Sequence, residues 1–422
     1  TIANKIQNND DILNLTIDNI YIGDLIYDSL LRELNIPSIF NIDKNIKKKI
    51  IIYLNYFFRI KSIIQSNNVK CFVSHTSVYY NAIGSRISLS MNIDTYVVLS
   101  TTIFKLSKSQ MYAFHQTFRY KDLFSILSKK LNKDLYKIAK RRIAKKLSGG
   151  IVNEMFIKKT NFGSYKVNRL IRKTDNIKIL IASHNFYDAI HHRGLLLFPD
   201  YYQWLIYLFK YSKNTNYDWY IKTHIDEDKS TEEIIKKLLD NNKHITLLPS
   251  DSSHHQLIQE GIDFCLTVDG TIGLEYAYLN KKVINASINN VHMSYNFNFN
   301  PSSFDDYSIL LNNLKKLKLE KNKDEILEFY YMHYIYNTNN WFFKKYNDFL
   351  DDNKGYFGQF NIDAIKYFNK NFNLNRKKQI IKLLNDFIQS KDYSLYEFII
   401  KNKNKKEIEN LLDVDNQFQN VE

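Results

Sequence analysis

The stretch Asp263–Ser287, DFCLTVDGTIGLEYAYLNKKVINAS, reads as a strand, a tight turn, a helix and a second strand. Phe264–Val268 is an apolar run of strand length, and Asp269-Gly270-Thr271 has turn chemistry. Small and apolar residues at helical spacing follow from Ile272, and Lys282–Asn285 is strand-like again. Two strands joined through one helix lie parallel, with a right-handed crossover. The turn then sits at the carboxyl edge of the sheet, where open α/β folds bind ligands. Gly270 and Gly273 let backbone approach a ligand closely, and the free N–H groups of the helix start attract a phosphate. Glu275, one turn into the helix, is placed to reach a ribose or sugar hydroxyl. The competing reading is an ordinary βαβ unit whose glycines only shape the turn.

Outward from this stretch the pattern repeats. Ile177–Ala182 is a strand followed by SHNFYDAIHHRG, Trp219–Lys222 a strand ending in Thr223-His224, and His244–Leu248 a strand before the polar loop PSDSSHH. Helices are expected over Tyr201–Tyr211 and 230–241. Ser183, His184, Asp188, His191 and His192 crowd a single loop, and a carboxylate among histidines suits acid/base or nucleophilic chemistry. His184, Asp188 and His192 share a face only if that loop is helical, which is not a metal signature, and no metal is expected. His254 and His255 are expected on the surface at a helix start. Residues 289–303, NNVHMSYNFNFNPSS, form a long polar loop of the kind that covers a site; His292 and Tyr295 there meet a substrate or lie at the surface.

The first third of the chain alternates in the same way. Residues 1–20 lead in, with a strand before Tyr21. In YIGDLIYDSLLRELN, from Tyr21, a turn at Gly23-Asp24 precedes a helix carrying Leu25, Tyr27, Leu30 and Leu31, which Asp24 is placed to cap. Residues 44–68 form a basic amphipathic helix. Val69–Val73 is a strand ending in Ser74-His75-Thr76-Ser77, ahead of a helix with Tyr79, Tyr80 and Arg86. His75 at this edge is a base, a hydroxyl-orienting group or part of a capping cluster. Asp94–Leu99 is the next strand, and the alternation says α/β. Residues 108–150 are basic and mostly helical, 151–172 a mixed connector, and a new α/β unit begins after 172. From Asp305 onward the chain reads helical, with a packing cluster of Tyr330, Tyr331, Tyr334, Tyr336, Trp341, Phe342 and Phe343.

Composition narrows the partners. With 44% hydrophobic and 24% charged residues over 422 positions the chain is globular, with room for two domain cores. Its net charge of +15 is spread over scattered lysine groups, without zinc-finger spacing or a nucleic-acid module, so nucleic acid is not an expected partner. Solvated helix faces explain most of that charge, and attraction to an anionic membrane surface is the alternative. Cys71 and Cys265 both fall in strands and are expected as small buried hydrophobes. Apolar runs are too short or too interrupted to span a bilayer, and no signal peptide is visible. A cytoplasmic setting, with or without peripheral attachment to the inner membrane, is expected.

Together, GDLIYDSLLR, SHTSVYYNAIGSR, SHNFYDAIHH with DYYQWL, KTH and TVDGTIGLEYAYLNKKVINAS resemble a GT-B glycosyltransferase of bacterial capsule and lipopolysaccharide biosynthesis. They touch residues 20–310, and their order is similar to that of the group using CMP-activated ulosonic acids such as Kdo. The resemblance implies two Rossmann-like domains and C-terminal helices: an acceptor-side domain at 1–172, a donor-binding domain at 173–330 and a helical extension at 331–422. It implies a nucleotide-sugar donor as substrate rather than a cofactor, held by His224, Asp269, Gly270, Thr271 and Glu275. A glycan or glycolipid acceptor then lies near Asp24, His75 and Tyr79. Asp188 serves as the base or nucleophile, supported by His184 and His191. In the related enzymes a His-Pro pair and paired serines hold the phosphate. Here His224 precedes Ile225 and the turn is Asp269-Gly270-Thr271, which keeps UDP- and GDP-sugars open. A sugar-nucleotide epimerase with the same donor site, and a non-catalytic basic scaffold, are the rival readings.

Overall fold

A computed structural model describes residues 2–412 except 100, 115, 151–159, 227–228, 320–321, 340–341, 343–348, 350–352 and 354–360. The chain divides into two compact units, each discontinuous in sequence. One comprises Thr1–Tyr96, Leu106–Thr117 and Asn161–Lys323, the other Val97–Lys105, Phe118–Thr160 and Asp324–Glu422.

In the first unit, α1 (Ile2–Lys5) and α2 (Asn9–Leu13) precede a hairpin of β1 (Thr16–Ile17) and β2 (Ile20–Tyr21), where a plain leader with one strand was the expectation. Asp18 and Asn19 at its tip have φ of 50° and 62°, the paired positive angles of a two-residue turn that Asp and Asn tolerate. Next come α3 (Gly23–Leu34), the long α4 (Lys44–Ser66), β3 (Cys71–Ser74), α5 (Ile83–Ser90) and β4 (Asp94–Val98), whose last two residues, like β5 (Ile103–Leu106) up to Lys105, belong to the second unit. Strands β3 and β4 are neighbours in a small sheet. Cys71 is exposed rather than buried, because β3 alternates exposed and half-buried residues; Cys265 is fully buried as expected.

The larger sheet has five strands: β6 (Lys178–Ala182), β7 (Asp218–Lys222), β8 (Ile245–Leu247), β9 (Phe264–Thr267) and β10 (Lys282–Asn285). Their order is β10-β9-β6-β7-β8 and every neighbouring pair is parallel. The chain passes through α6 (Tyr201–Ser212), α7 (Lys229–Asp240), α8 (His254–Gln259) and α9 (Ile272–Tyr278) between successive strands, and α10 (Phe304–Asn312) follows β10. Strand residues alternate faces, as the pleat requires. Ile179, Ile181, Trp219, Ile221, Phe264 and Leu266 pack with Trp204, Leu205 and Leu208 of α6 in one core. Leu180, Tyr220, Cys265 and Val283 pack with Leu257 of α8 and Tyr276 of α9 in the other. Both faces are covered, which is why these strands read as continuous apolar runs.

This order reverses direction between β6 and β9. The first half of the sheet grows outward through β7 and β8, the second through β9 and β10. That reversal leaves a crevice at the carboxyl ends of β6 and β9, the usual ligand position in an open parallel sheet.

The second unit is mainly helical. Tyr120–Leu131 and Leu135–Leu147 are its basic helices, so the helical run expected from 108 begins at 120, after a short 3-10 turn at Gln116–Arg119. Glu397, 1% exposed, pairs with Arg119 at 2.7 Å. Tyr330, Tyr331, Tyr334 and Tyr336 are buried, three of them in a π-helical segment at Tyr331–Tyr336. Phe342 stacks on Phe372, whereas Trp341 and Phe343 of the expected cluster lie outside the described residues. Among the described residues no helix is long and apolar enough to cross a membrane.

Candidate functional site

The loops leaving β6 and β9 are stitched together by His184. The Val268 N–H donates to His184 Nε2 at 3.0 Å, and Thr267 Oγ1 lies 2.9 Å from the same nitrogen. Nε2 is therefore an acceptor and the ring is neutral. Its face stacks on Tyr201, the first residue of α6, with centroids 4.5 Å apart. Burial, with a smaller contribution from the charge of His224, pushes the imidazole down to about 3. Protonating it breaks the Val268 bond, so His184 positions the two strand ends rather than exchanging protons at Nε2.

A pH prediction follows. The unfolded state takes up a proton at His184 near the ordinary histidine value of 6.5, whereas the folded state holds off until about 3. Stability is thus complete above the unfolded value and falls as pH drops between the two, by about 1.4 kcal/mol per pH unit for one extra proton. Urea unfolding of His184→Gln, which accepts the same bond without titrating, should show a flatter stability profile from pH 6.5 to 4.5 than wild type. Identical slopes would remove His184 from this role.

Asp269, in the turn after β9, is engaged by its own protein. Its Oδ1 accepts from the Val291 N–H at 2.5 Å, and its Oδ2 accepts from Arg193. Arg193 Nη1 also donates to His192 Nε2, whose Nδ1 faces the Ala189 carbonyl at 2.7 Å, and Arg193 Nε donates to the Phe114 carbonyl at 3.2 Å. Burial and then the guanidinium push His192 well below the ordinary range. Arg193, in the HHRG segment, was not singled out from sequence. The two glycines are not open cradles. A Cβ on Gly270 would meet Thr267 Oγ1 at 2.5 Å, and one on Gly273 would meet Asn298 at 2.7 Å and His292 at 3.0 Å. Close packing requires glycine here, and the protein itself occupies the space. Thr271 precedes α9 without capping it through its side chain, and Glu275 is buried.

At the end of β7, Lys222 is 3% exposed and donates to Asn161 Oδ1 at 3.2 Å. Burial pushes its ammonium down to about 8 against the opposing pull of Glu275 and Asp251. His224, two residues on, is exposed, and its Nδ1 accepts from the Asp226 N–H at 3.1 Å. His254 is buried rather than exposed, with Nδ1 2.9 Å from the Tyr276 hydroxyl. His292 and Tyr295 are also buried, at 0% and 1% exposure, so loop 289–303 is built into the fold and neither ring faces solvent.

The β6 loop also meets the N-terminal helices of the same unit. His191 is buried with its Nδ1 2.6 Å from Asp28 Oδ1, and its N–H donates to Asp28 Oδ2 at 3.0 Å. Burial alone lowers a histidine, but here Asp28 outweighs it and holds the ring up. Tyr27, beside Asp28, donates to Asp200 at 2.6 Å. Asp24 is 1% exposed and ion-paired to Arg86 at 2.7 Å, and it accepts from the Tyr112 hydroxyl at 2.9 Å. It does not cap α3, whose N-cap is Ile22.

Asp188 is exposed, with Oδ1 accepting from the Ala189 N–H at 2.8 Å and lying 3.4 Å from the Tyr79 hydroxyl. That hydroxyl accepts from Arg32 Nη1 at 2.5 Å. Tyr79 has φ 59° and ψ 178°, a region essentially reserved for glycine, so the surrounding contacts hold it against local strain. Burial first, and then the negative charges of Asp269 and Asp188, raise the Tyr201 hydroxyl well above its ordinary value. His75 is exposed in the turn after β3 and makes no hydrogen bond to this cluster among the described residues.

Sheet order, two-faced packing and clustered strand ends define a Rossmann-like α/β protein with a polar switch-point site. No family model matches the chain, and no curated protein matches it. Among solved structures the chain is similar to Thermosulfurimonas dismutans KpsC, a beta Kdo 2,4 transferase. The TM-score is 0.37 at 11% identity, and the alignment covers 63% of this chain and 79% of that one.

Proposed function

We propose that the protein is a metal-independent glycosyltransferase of GT-B type. It moves a sugar from a nucleotide-activated donor, with a CMP-ulosonic acid such as Kdo favoured, to a bacterial surface polysaccharide in the cytoplasm. The observation that carries this reading is the joining of the β6 and β9 loops at the switch point by His184, with Asp188 exposed on the β6 loop and Lys222 buried at the end of the neighbouring strand β7. The donor class and the bacterial setting rest on the sequence motifs.

In this reading Asp188 either deprotonates the acceptor hydroxyl or attacks the anomeric carbon, while the bond to the donor phosphate breaks. The phosphate then gains charge as it leaves. Lys222 and His224 at the end of β7, with Arg193 behind the Asp269 turn, offset that charge. Thr271 contributes its hydroxyl to the phosphate and Glu275 tempers the charge of Lys222. The acceptor approaches along Tyr79 and Arg32.

Thermal unfolding with CMP, UDP and GDP tests this, because a ligand bound only by the folded state raises its melting temperature. One nucleotide class should stabilise the protein, and His224→Ala or Thr271→Val should cost roughly 1.5–3 kcal/mol of that effect. Lys222→Met should remove the nucleotide shift while leaving the free protein as stable as wild type or more so, since a buried ammonium is costly. The wild-type shift should also weaken as pH rises through about 8, where Lys222 loses its proton. If no nucleotide stabilises the protein, the glycosyltransferase reading fails.

A further inference from the structure

Helix α4 (Lys44–Ser66) has two unlike faces. Ile46, Ile50, Tyr53, Leu54, Phe57 and Ile64 are buried against the first unit. On the outer side Ile51, Ile52, Phe58 and Ile63 are 46–49% exposed. At 100° per residue these four fall within about 140° of arc, and Lys44, Lys48 and Arg59 fall inside the same arc. The helix carries six Lys or Arg and no Asp or Glu. Lys49 and Lys61 are neutralised by Glu33 and Asp18, but Lys44, Lys48 and Arg59 have no acidic partner among the described residues. With 23 residues the helix is about 34 Å long, and along it Ile51 and Phe58 line one margin of the arc, Ile52 and Ile63 the other, with the three cations between them.

A water-facing helix face is normally polar, and a nucleic-acid surface has no use for four large aliphatic and aromatic side chains. A protein partner seldom asks for cations without a single acid. Apolar side chains interleaved with unpaired cations instead match the boundary of a bilayer. There the rings and branched chains enter the acyl region while lysine and arginine reach the anionic headgroups. We propose that the outer face of α4 docks the protein peripherally on an anionic phospholipid surface, with the helix lying in the plane of the interface.

Co-sedimentation of the full chain with vesicles tests this. Vesicles of one-third phosphatidylglycerol in phosphatidylcholine should capture the protein at 50 mM salt at least ~10-fold better than pure phosphatidylcholine. Capture should fall steeply by 0.5 M salt, where screening acts within roughly 5 Å. Ile51→Ser/Phe58→Ser should lower the partition coefficient at least ~10-fold even at low salt, because it removes insertion and leaves the charge. Lys44→Gln/Lys48→Gln/Arg59→Gln should reduce capture similarly and flatten its salt dependence. All five positions are exposed, so circular dichroism melts should match wild type. Equal capture by neutral vesicles, or wild-type binding by the serine variant, overturns the proposal. So does a dimer in light scattering that the serine variant dissociates while its vesicle binding is unchanged, since the face would then be covered by a second copy.

Discussion

Asp188→Asn should lower glycosyl transfer at least ~100-fold while leaving the melting temperature within a few degrees of wild type. Asparagine keeps the oxygen that accepts from the Ala189 N–H, so the loop after β6 is held as before. What is lost is the charge and basicity of an exposed carboxylate standing 3.4 Å from the Tyr79 hydroxyl. Nucleotide-induced stabilisation should persist, because the phosphate contacts are assigned to Lys222, His224 and Thr271. If Asp188 only shapes its turn, the variant should instead lose about 1 kcal/mol of stability and retain most of its activity. Measuring the melting temperature, nucleotide shift and transfer rate of this one variant separates the two roles.

The second large effect is on folding. Asp24→Ala should destabilise the protein by about 3–5 kcal/mol, since it leaves the Arg86 guanidinium buried without its counter-charge. Arg86 is itself 4% exposed, and without Asp24 it keeps the Tyr21 carbonyl at 3.1 Å and the Tyr112 hydroxyl as neutral partners but no counter-charge. The double variant Asp24→Leu/Arg86→Met removes both charges and should recover most of the loss. Denaturant unfolding of the three proteins measures this directly. An Asp24→Ala variant as stable as wild type but deficient in acceptor use would return Asp24 to the acceptor contact that the glycosyltransferase resemblance implies.

Strand periodicity carries most of what the sequence discloses. Lys282–Asn285 was bounded correctly, and β6, β7, β8 and β9 fall within a residue of their expected limits, because buried parallel strands are short unbroken apolar runs. The site is less legible. His184 stood out as a histidine after a strand, but its neutral state depends on the Val268 N–H, 84 positions away. Asp28 is unremarked in sequence, and its pairing with His191 spans 163 positions. Lys222 and Arg193 look like two of many basic residues, and only burial distinguishes the first from a surface lysine. His254, His292 and Tyr295 misled for the converse reason: a polar sequence context suggests solvent, but their neighbours in space are Tyr276, Gly273 and Phe297. Two units each assembled from three separate stretches have no one-dimensional signature at all.

The strand order has a consequence for synthesis of the chain. Strands β6, β7 and β8 emerge in succession and are neighbours, so that half of the sheet can assemble as it leaves the ribosome. The other side of β6 must wait for β9, and until then it presents Ile179, Leu180 and Ile181 along an unpaired edge. Such an edge invites pairing with another nascent chain. The crevice has one wall during this interval, and His184 has neither Thr267 nor Val268 to hold it. Chains truncated before Asp263 are therefore poor starting material for binding studies: they end with the sheet open at the place where the ligand belongs.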